Sequence, residues 1–188
     1  MSTASVTQPD ERLLTAEEYA ALTDDRRTEL VKGKVVEMPQ PGFLHGKVQA
    51  RIARLMANYV EDHDLGHVLT ESGVVTTRDP DTVRGPDVSF YSYERIPKES
   101  VPRVYAEAPP EIVFEVRSPD DRVGEVLRKA GEYLTAGTLC VCVVDPRRRS
   151  AVVYGEDDSV TVLSENDTLL LPPPLAGWTP RVGDFFPE

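Results

Sequence analysis

The sequence predicts an α/β fold with a mixed central sheet, and three observations carry that prediction. First, two continuous apolar runs, Ile112 to Val116 and Leu139 to Val144, bracket a segment of helical periodicity. That order reads as strand, helix, strand, with a right-handed crossover and parallel pairing of the two strands. Second, β-rich runs bounded by turn residues lie on both sides of this unit and supply antiparallel hairpins. Third, the composition is globular: 188 residues, 40% apolar and 28% charged, enough for one domain with a sizeable core.

Residues 1–12 are polar and aperiodic and read as a flexible tail, leaving 13–188 as a single domain. Thr15-Ala16-Glu17-Glu18 has the form of a capping box, so a short helix should run to about Leu22. Glu29-Leu30-Val31 and Lys34 to Met38 flank Lys32-Gly33 and read as a hairpin. From near His45 to about His63, Val48, Ile52, Met56, Tyr59 and Val60 form one helical apolar stripe. His67 to Thr70 and Val74 to Thr77 are β-rich runs around Gly73 and read either as two strands or as one long bent strand. Asp87 to Tyr91 is a strand entered from Gly85-Pro86, and four prolines make 94–110 mostly loop.

Ser118-Pro119-Asp120-Asp121 has the composition of a helix start, with Ser as N-cap and Pro at the first helical position. Val123, Val126, Leu127, Ala130, Tyr133 and Leu134 give the stripe, and Gly137 the C-cap. A last hairpin surrounds Gly155 to Asp158. The C-terminal Trp178, Phe185 and Phe186 are available for packing within or between chains.

The formal net charge is −11, from 21 Lys and Arg against 32 Asp and Glu. Taken as an average, this argues against binding nucleic acid by bulk charge. The charge is unevenly spread, however. Residues 26–54 hold seven cations and two anions, and residues 117–149 hold seven and five. Such segments are either solvated helix faces or contacts for an anionic ligand. No apolar stretch approaches the roughly 18 residues of a membrane helix. The first residues lack the basic and apolar parts of a signal peptide. Cys140 and Cys142 lie two apart on one strand face, where they would hardly bridge. A reduced, cytoplasmic protein is the expectation.

Two carboxylates occupy unusual places. Asp87 opens an apolar strand, and Glu115 lies inside another. Buried acids are rare unless paired or metal-bound. Converging at one sheet end, they would make a hard oxygen site suited to Mg²⁺. The alternative is that Glu115 faces solvent on an edge strand. His45 has two readings also, as a substrate contact or as a helix-capping surface residue.

Gly85-Pro86-Asp87, then Phe114-Glu115-Val116-Arg117-Ser118-Pro119, then Lys129, Tyr133, Gly137 and Val144-Asp145-Pro146 resemble the Uma-two family. So does the opening from Glu29 to Pro39 with His45. That family is a set of restriction-endonuclease-like proteins within the PD-(D/E)XK nuclease superfamily. The resemblance runs from about Thr15 to the end. It implies a restriction-endonuclease-like sheet flanked by helices, with peripheral hairpins. It implies Asp87 and Glu115 as metal ligands, Glu29 as the early acid beside the metal, and Lys129 as the catalytic lysine. Arg117 stands two after Glu115, where the superfamily motif has Lys. Its high pKa makes it a poor general base but a capable phosphate contact. Arg117, Arg122 and His45 are therefore the expected substrate-binding residues.

The implied activity is hydrolysis of DNA phosphodiester bonds by a homodimer with Mg²⁺, or Mn²⁺ as substitute. The alternative is a catalytically silent nuclease-fold module for DNA binding or protein assembly.

Overall fold

The computed structural model describes residues 12–23, 26–119 and 121–187. Apart from Arg12, the expected N-terminal tail lies outside the described residues. The elements are α1 (Ala16–Ala20), β1 (Thr28–Val31), β2 (Lys34–Glu37), α2 (Phe43–Asp62), β3 (Gly66–Leu69), β4 (Val74–Thr77), β5 (Thr82–Arg84), β6 (Val88–Ser92), β7 (Ile112–Val116), α3 (Val123–Ala136), β8 (Cys140–Asp145), β9 (Ser150–Gly155) and β10 (Val160–Ser164). A 3-10 turn over Val182–Phe185 follows. No helix among the described residues is long and apolar enough to cross a membrane.

The strands form two sheets. One has six strands in the order β10-β9-β8-β7-β6-β3, and the other has four in the order β2-β1-β5-β4. The larger sheet is mixed: β7 and β8 are parallel, with Glu115 beside Val143, and the remaining pairs are antiparallel. The parallel pair arises where the sequence predicts it, because a crossover helix joins two apolar runs.

The two-residue period of β7 divides the core. Ile112, Phe114 and Val116 face α2, where Val48, Ile52, Met56 and Val60 form the buried stripe. The C-terminal segment closes this face. Phe114 meets Trp178 and Phe185 edge-on, with ring centroids 6.1 and 5.9 Å apart, so the aromatic tail packs within the chain. Cys140 and Cys142 sit on the same face as free thiols, and burial pushes Cys140 up to about 12. Val113 lies on the opposite face with Val141 and Val143, under Ala130 and Tyr133 of α3. Glu115 alternates onto that face as well.

Two elements depart from the sequence prediction, β5 and the start of α3, and a third resolves an open choice. His67 to Thr77 is two strands in two sheets, since β3 pairs with β6 and β4 with β5. The chain turns between them at Glu71, whose φ is 55°, and Gly73 then passes against Tyr105. A Cβ at Gly73 would lie 2.4 Å from the Tyr105 ring, so any larger residue would force that ring to move. β5 has no counterpart in the prediction, being only three residues long.

The helix after β7 starts at Val123, not Ser118, with Arg122 as its N-cap. The Ser118 hydroxyl meets His45 Nδ1 at 3.2 Å, and Asp121 Oδ2 accepts the Ser118 N–H at 2.7 Å. The expected cap thus spends its oxygen on α2 instead of on the start of α3.

Candidate functional site

The loop between β5 and β6 brings Asp87 to the end of the larger sheet. Antiparallel pairing of Val88 with Phe114 brings Asp87 abreast of Glu115 one residue further on. Asp87 is 2% exposed. Its Oδ2 accepts the Val116 N–H at 2.6 Å and its Oδ1 lies 3.0 Å from His45 Nε2. Arg27 stands 3.8 Å from the same Oδ1. The Gln49 amide donates to the Asp87 carbonyl and to Glu71, each at 3.0 Å. A buried carboxylate needs such donors, and these come from β7, α2 and the segment before β1.

His45 lies on the first turn of α2 and is buried. Burial opposes its protonation, but the hydrogen bond and the charge of Asp87 outweigh that, so its pKa is raised. Glu115 receives a hydrogen bond from Tyr133 Oη at 2.9 Å. Its side chain keeps part of its surface toward the cleft, while the packing around its carboxyl desolvates it. Burial and then the charge of Asp87 push Glu115 up to about 7, against the opposing pull of Lys129.

Glu29 on β1 is buried and engaged at both oxygens. Oε1 accepts from Lys129 Nζ at 2.8 Å and Oε2 from Arg84 Nη1 at 2.7 Å. Burial alone would raise Glu29, yet Lys129 and Arg84 together hold it below the ordinary carboxylate range. Arg84 continues to Glu132 of α3, with Nε at 2.6 Å and Nη2 at 3.1 Å. Glu115, Arg117, Lys129 and Arg84 line a cleft of about 350 Å³, roofed in part by Val36 and Met38 of the first hairpin.

Five of the residues singled out by sequence, Asp87, Glu115, Lys129, Glu29 and His45, thus come together at one sheet end. Arg117 lines the cleft, but its Nη1 pairs with Asp145 at 3.0 Å and its Nη2 donates to the Asp121 carbonyl at 3.3 Å. Arg122 is the exposed N-cap of α3 and does not line the cleft. The basic run at 147–149 forms the β8–β9 turn, where Asp145 Oδ1 accepts the N–H groups of Arg147 and Arg148 and Arg149 pairs with Glu165.

Sequence reasoning did not single out Arg84, Glu132, Gln49, Arg27 or Glu71. Only Arg84 carried a signal: it directly precedes Gly85-Pro86-Asp87 and ends a β-branched pair, so a charge falls in a strand. Among the described residues no three His, Cys, Asp or Glu side chains converge as a ready metal set. The pair Asp87 and Glu115 still fits Mg²⁺, which is commonly held by one or two carboxylates together with waters and substrate phosphate.

The mixed six-stranded sheet, with α2 on one face and α3 on the other, is a restriction-endonuclease-like α/β architecture. Residues 16–183 match the model of the Uma2 family, described as "Putative restriction endonuclease", and the chain belongs to that family. Among solved structures it is similar to a chain described as "a putative nuclease belonging to DUF820 from Anabaena variabilis ATCC 29413". The TM-score is 0.79 at 22% identity, over 92% of this chain and 97% of that one. At this identity the likeness shows the fold. No curated protein matches the chain.

Proposed function

We propose that the protein is a metal-dependent endodeoxyribonuclease acting through a PD-(D/E)XK-type site. The observation that carries this reading is the convergence of Asp87, Glu115 and Lys129 at one sheet end. Asp87 and Glu115 would hold Mg²⁺, with Mn²⁺ as a substitute. When bound, that ion supplies Lewis-acid polarisation of the phosphoryl oxygen and a more acidic water.

The chain's own residues do the rest. His45 and the Val116 N–H fix the Asp87 carboxylate in one orientation. Tyr133 does the same for Glu115. The Lys129 ammonium, anchored on Glu29, offers positive charge beside the cleft, where negative charge accumulates as water oxygen attacks phosphorus and the leaving oxygen departs. Arg117, on the cleft wall, and Arg122, at its side, would contact neighbouring phosphates. A cytoplasmic homodimer would present one such site to each DNA strand.

One observation favours a second reading, a silent DNA-binding or assembly module. Arg117 replaces the motif lysine and is already committed to Asp145. Incubation with supercoiled plasmid and Mg²⁺ or Mn²⁺ separates the two. Nicking that is lost in Asp87→Ala, and lost on chelation, supports the enzyme. DNA binding that survives Asp87→Ala and Glu115→Ala, without nicking by the unmodified chain, supports the module. In either case binding should weaken steeply with salt, because phosphate contacts release counterions.

A further inference from the structure

Among the described residues Arg84 is the largest fully buried side chain, 2% exposed, and stands outside the motifs from which the site was read. Dehydrating a guanidinium is costly, and an apolar side chain of similar volume is often the more stable occupant of such a position. The geometry of Arg84 offers a reason for its presence. Its fork has two ends. Nη1 takes Glu29 Oε2 at 2.7 Å, while Nε and Nη2 take the two oxygens of Glu132 at 2.6 and 3.1 Å. Glu29 then holds Lys129 Nζ at 2.8 Å on its remaining oxygen.

Lys129 and Glu132 are three residues apart on α3, a spacing at which a Lys and a Glu ordinarily attract each other. In this fold they do not pair. Both Glu132 oxygens accept from Arg84 and one also from Arg128, the latter at 2.9 Å, while Lys129 leans to β1 instead. There it lines the cleft with Glu115 and Arg84. Only a planar cation that reaches two carboxylates at once can hold them apart in this way, and lysine lacks that fork.

We propose that Arg84 is a positioning residue: by occupying Glu132 and one oxygen of Glu29, it keeps the Lys129 ammonium off Glu132 and on the cleft side of α3. The purpose of this arrangement rests on the nuclease reading of the cleft, but its geometry does not. The test is therefore chosen to be independent of activity.

Trace acetylation of the full chain, read by mass spectrometry, gives the reactivity of Lys129 relative to the exposed Lys47. Wild type should label slowly at Lys129. Arg84→Met frees Glu132, which is 18% exposed against 5% for Glu29. Lys129 drawn out to it should label several-fold faster through greater access, with Lys47 unchanged. Arg84→Lys should follow it in direction, since it retains a charge without the fork. Thermal melting identifies which variants are folded, and the conservative Arg84→Lys keeps the test open if Arg84→Met does not fold. A folded variant whose Lys129 labels at the wild-type rate overturns the proposal, whether or not the protein nicks DNA. Where nicking is present, a positioning role predicts that kcat falls about ten- to a hundredfold with little change in KM. It also predicts that Arg84→Met adds little once Lys129→Met is in place. Full additivity of the two substitutions would count against it.

Discussion

Asp87 and His45 meet at 3.0 Å across the junction of α2 and the β6 strand entry, and the other imidazole nitrogen rests on Ser118. The histidine therefore joins three separate segments and orients a carboxylate instead of facing outward. His45→Ala should leave Asp87 short of one donor. Losing a hydrogen bond to a charged group costs about 1.5–3 kcal/mol, readable by urea denaturation. If Asp87 holds the ion as proposed, nicking should fall about ten- to a hundredfold, the usual loss when a residue orienting a metal ligand is removed. Wild-type activity in His45→Ala would show that Asp87 is held well enough by Val116 alone.

Glu115 is a carboxylate that the fold desolvates. Its isosteric amide keeps an acceptor for Tyr133 and removes the charge. Glu115→Gln should abolish nicking and divalent-ion heat in calorimetry while melting at or above the wild-type temperature, since a functional charge commonly sits at the expense of stability. A large drop in melting temperature would mean that Glu115 serves the fold and not the cleft.

Glu29 behaves in the opposite way, because it is paired twice. Removing one member of a buried ion pair typically costs about 3–5 kcal/mol, and Glu29→Gln should lose stability on that scale at neutral pH. The pH dependence follows from the direction of its shift. The folded carboxyl lies below its ordinary value of 4.5, with Lys129 and Arg84 overcoming the effect of burial. Its contribution is therefore complete above that value and is lost as pH falls through the folded pKa. Denaturation curves of wild type and Glu29→Gln should converge on acidification below about 4.5. A gap that stays constant with pH would remove the ion pair from the account.

Phe185 is wholly buried against Phe114 and Trp178 at the closed face of the large sheet. Phe185→Ala should cost about 3–5 kcal/mol, the usual range for an aromatic lost from a core. Divalent-ion binding should persist in the surviving folded fraction, because Glu115 lies on the opposite face of β7 from Phe114, against Tyr133. A loss of ion heat with little loss of stability would tie the tail to the site.

Much of this arrangement was legible in the residues. The parallel β7–α3–β8 unit followed from two apolar runs around a helical stripe. The α2 stripe and the first hairpin followed from periodicity and Lys32-Gly33. The carboxylates at 87 and 115 stood out because charge in an apolar strand is costly. What failed were features set by distant partners. The helix start at Ser118 was lost because its hydroxyl serves His45, 73 residues away. Whether His67 to Thr77 is one bent strand or two was decided by distant strands, since β3 pairs with β6 in one sheet and β4 with β5 in the other. Arg84 was missed because its partners, Glu29 and Glu132, lie 55 and 48 residues from it.

The sequence alone therefore determined the strand–helix–strand centre, the sheet faces and the two acids set in apolar strands, because these depend on local periodicity and on the cost of burying charge. Tertiary structure decided the partners. It gave His45 to Asp87, Tyr133 to Glu115 and Lys129 to Glu29. It also turned Arg117 toward Asp145. Each of these choices is made by desolvation: once water is excluded, a charge must take whichever complementary group the packing brings within reach.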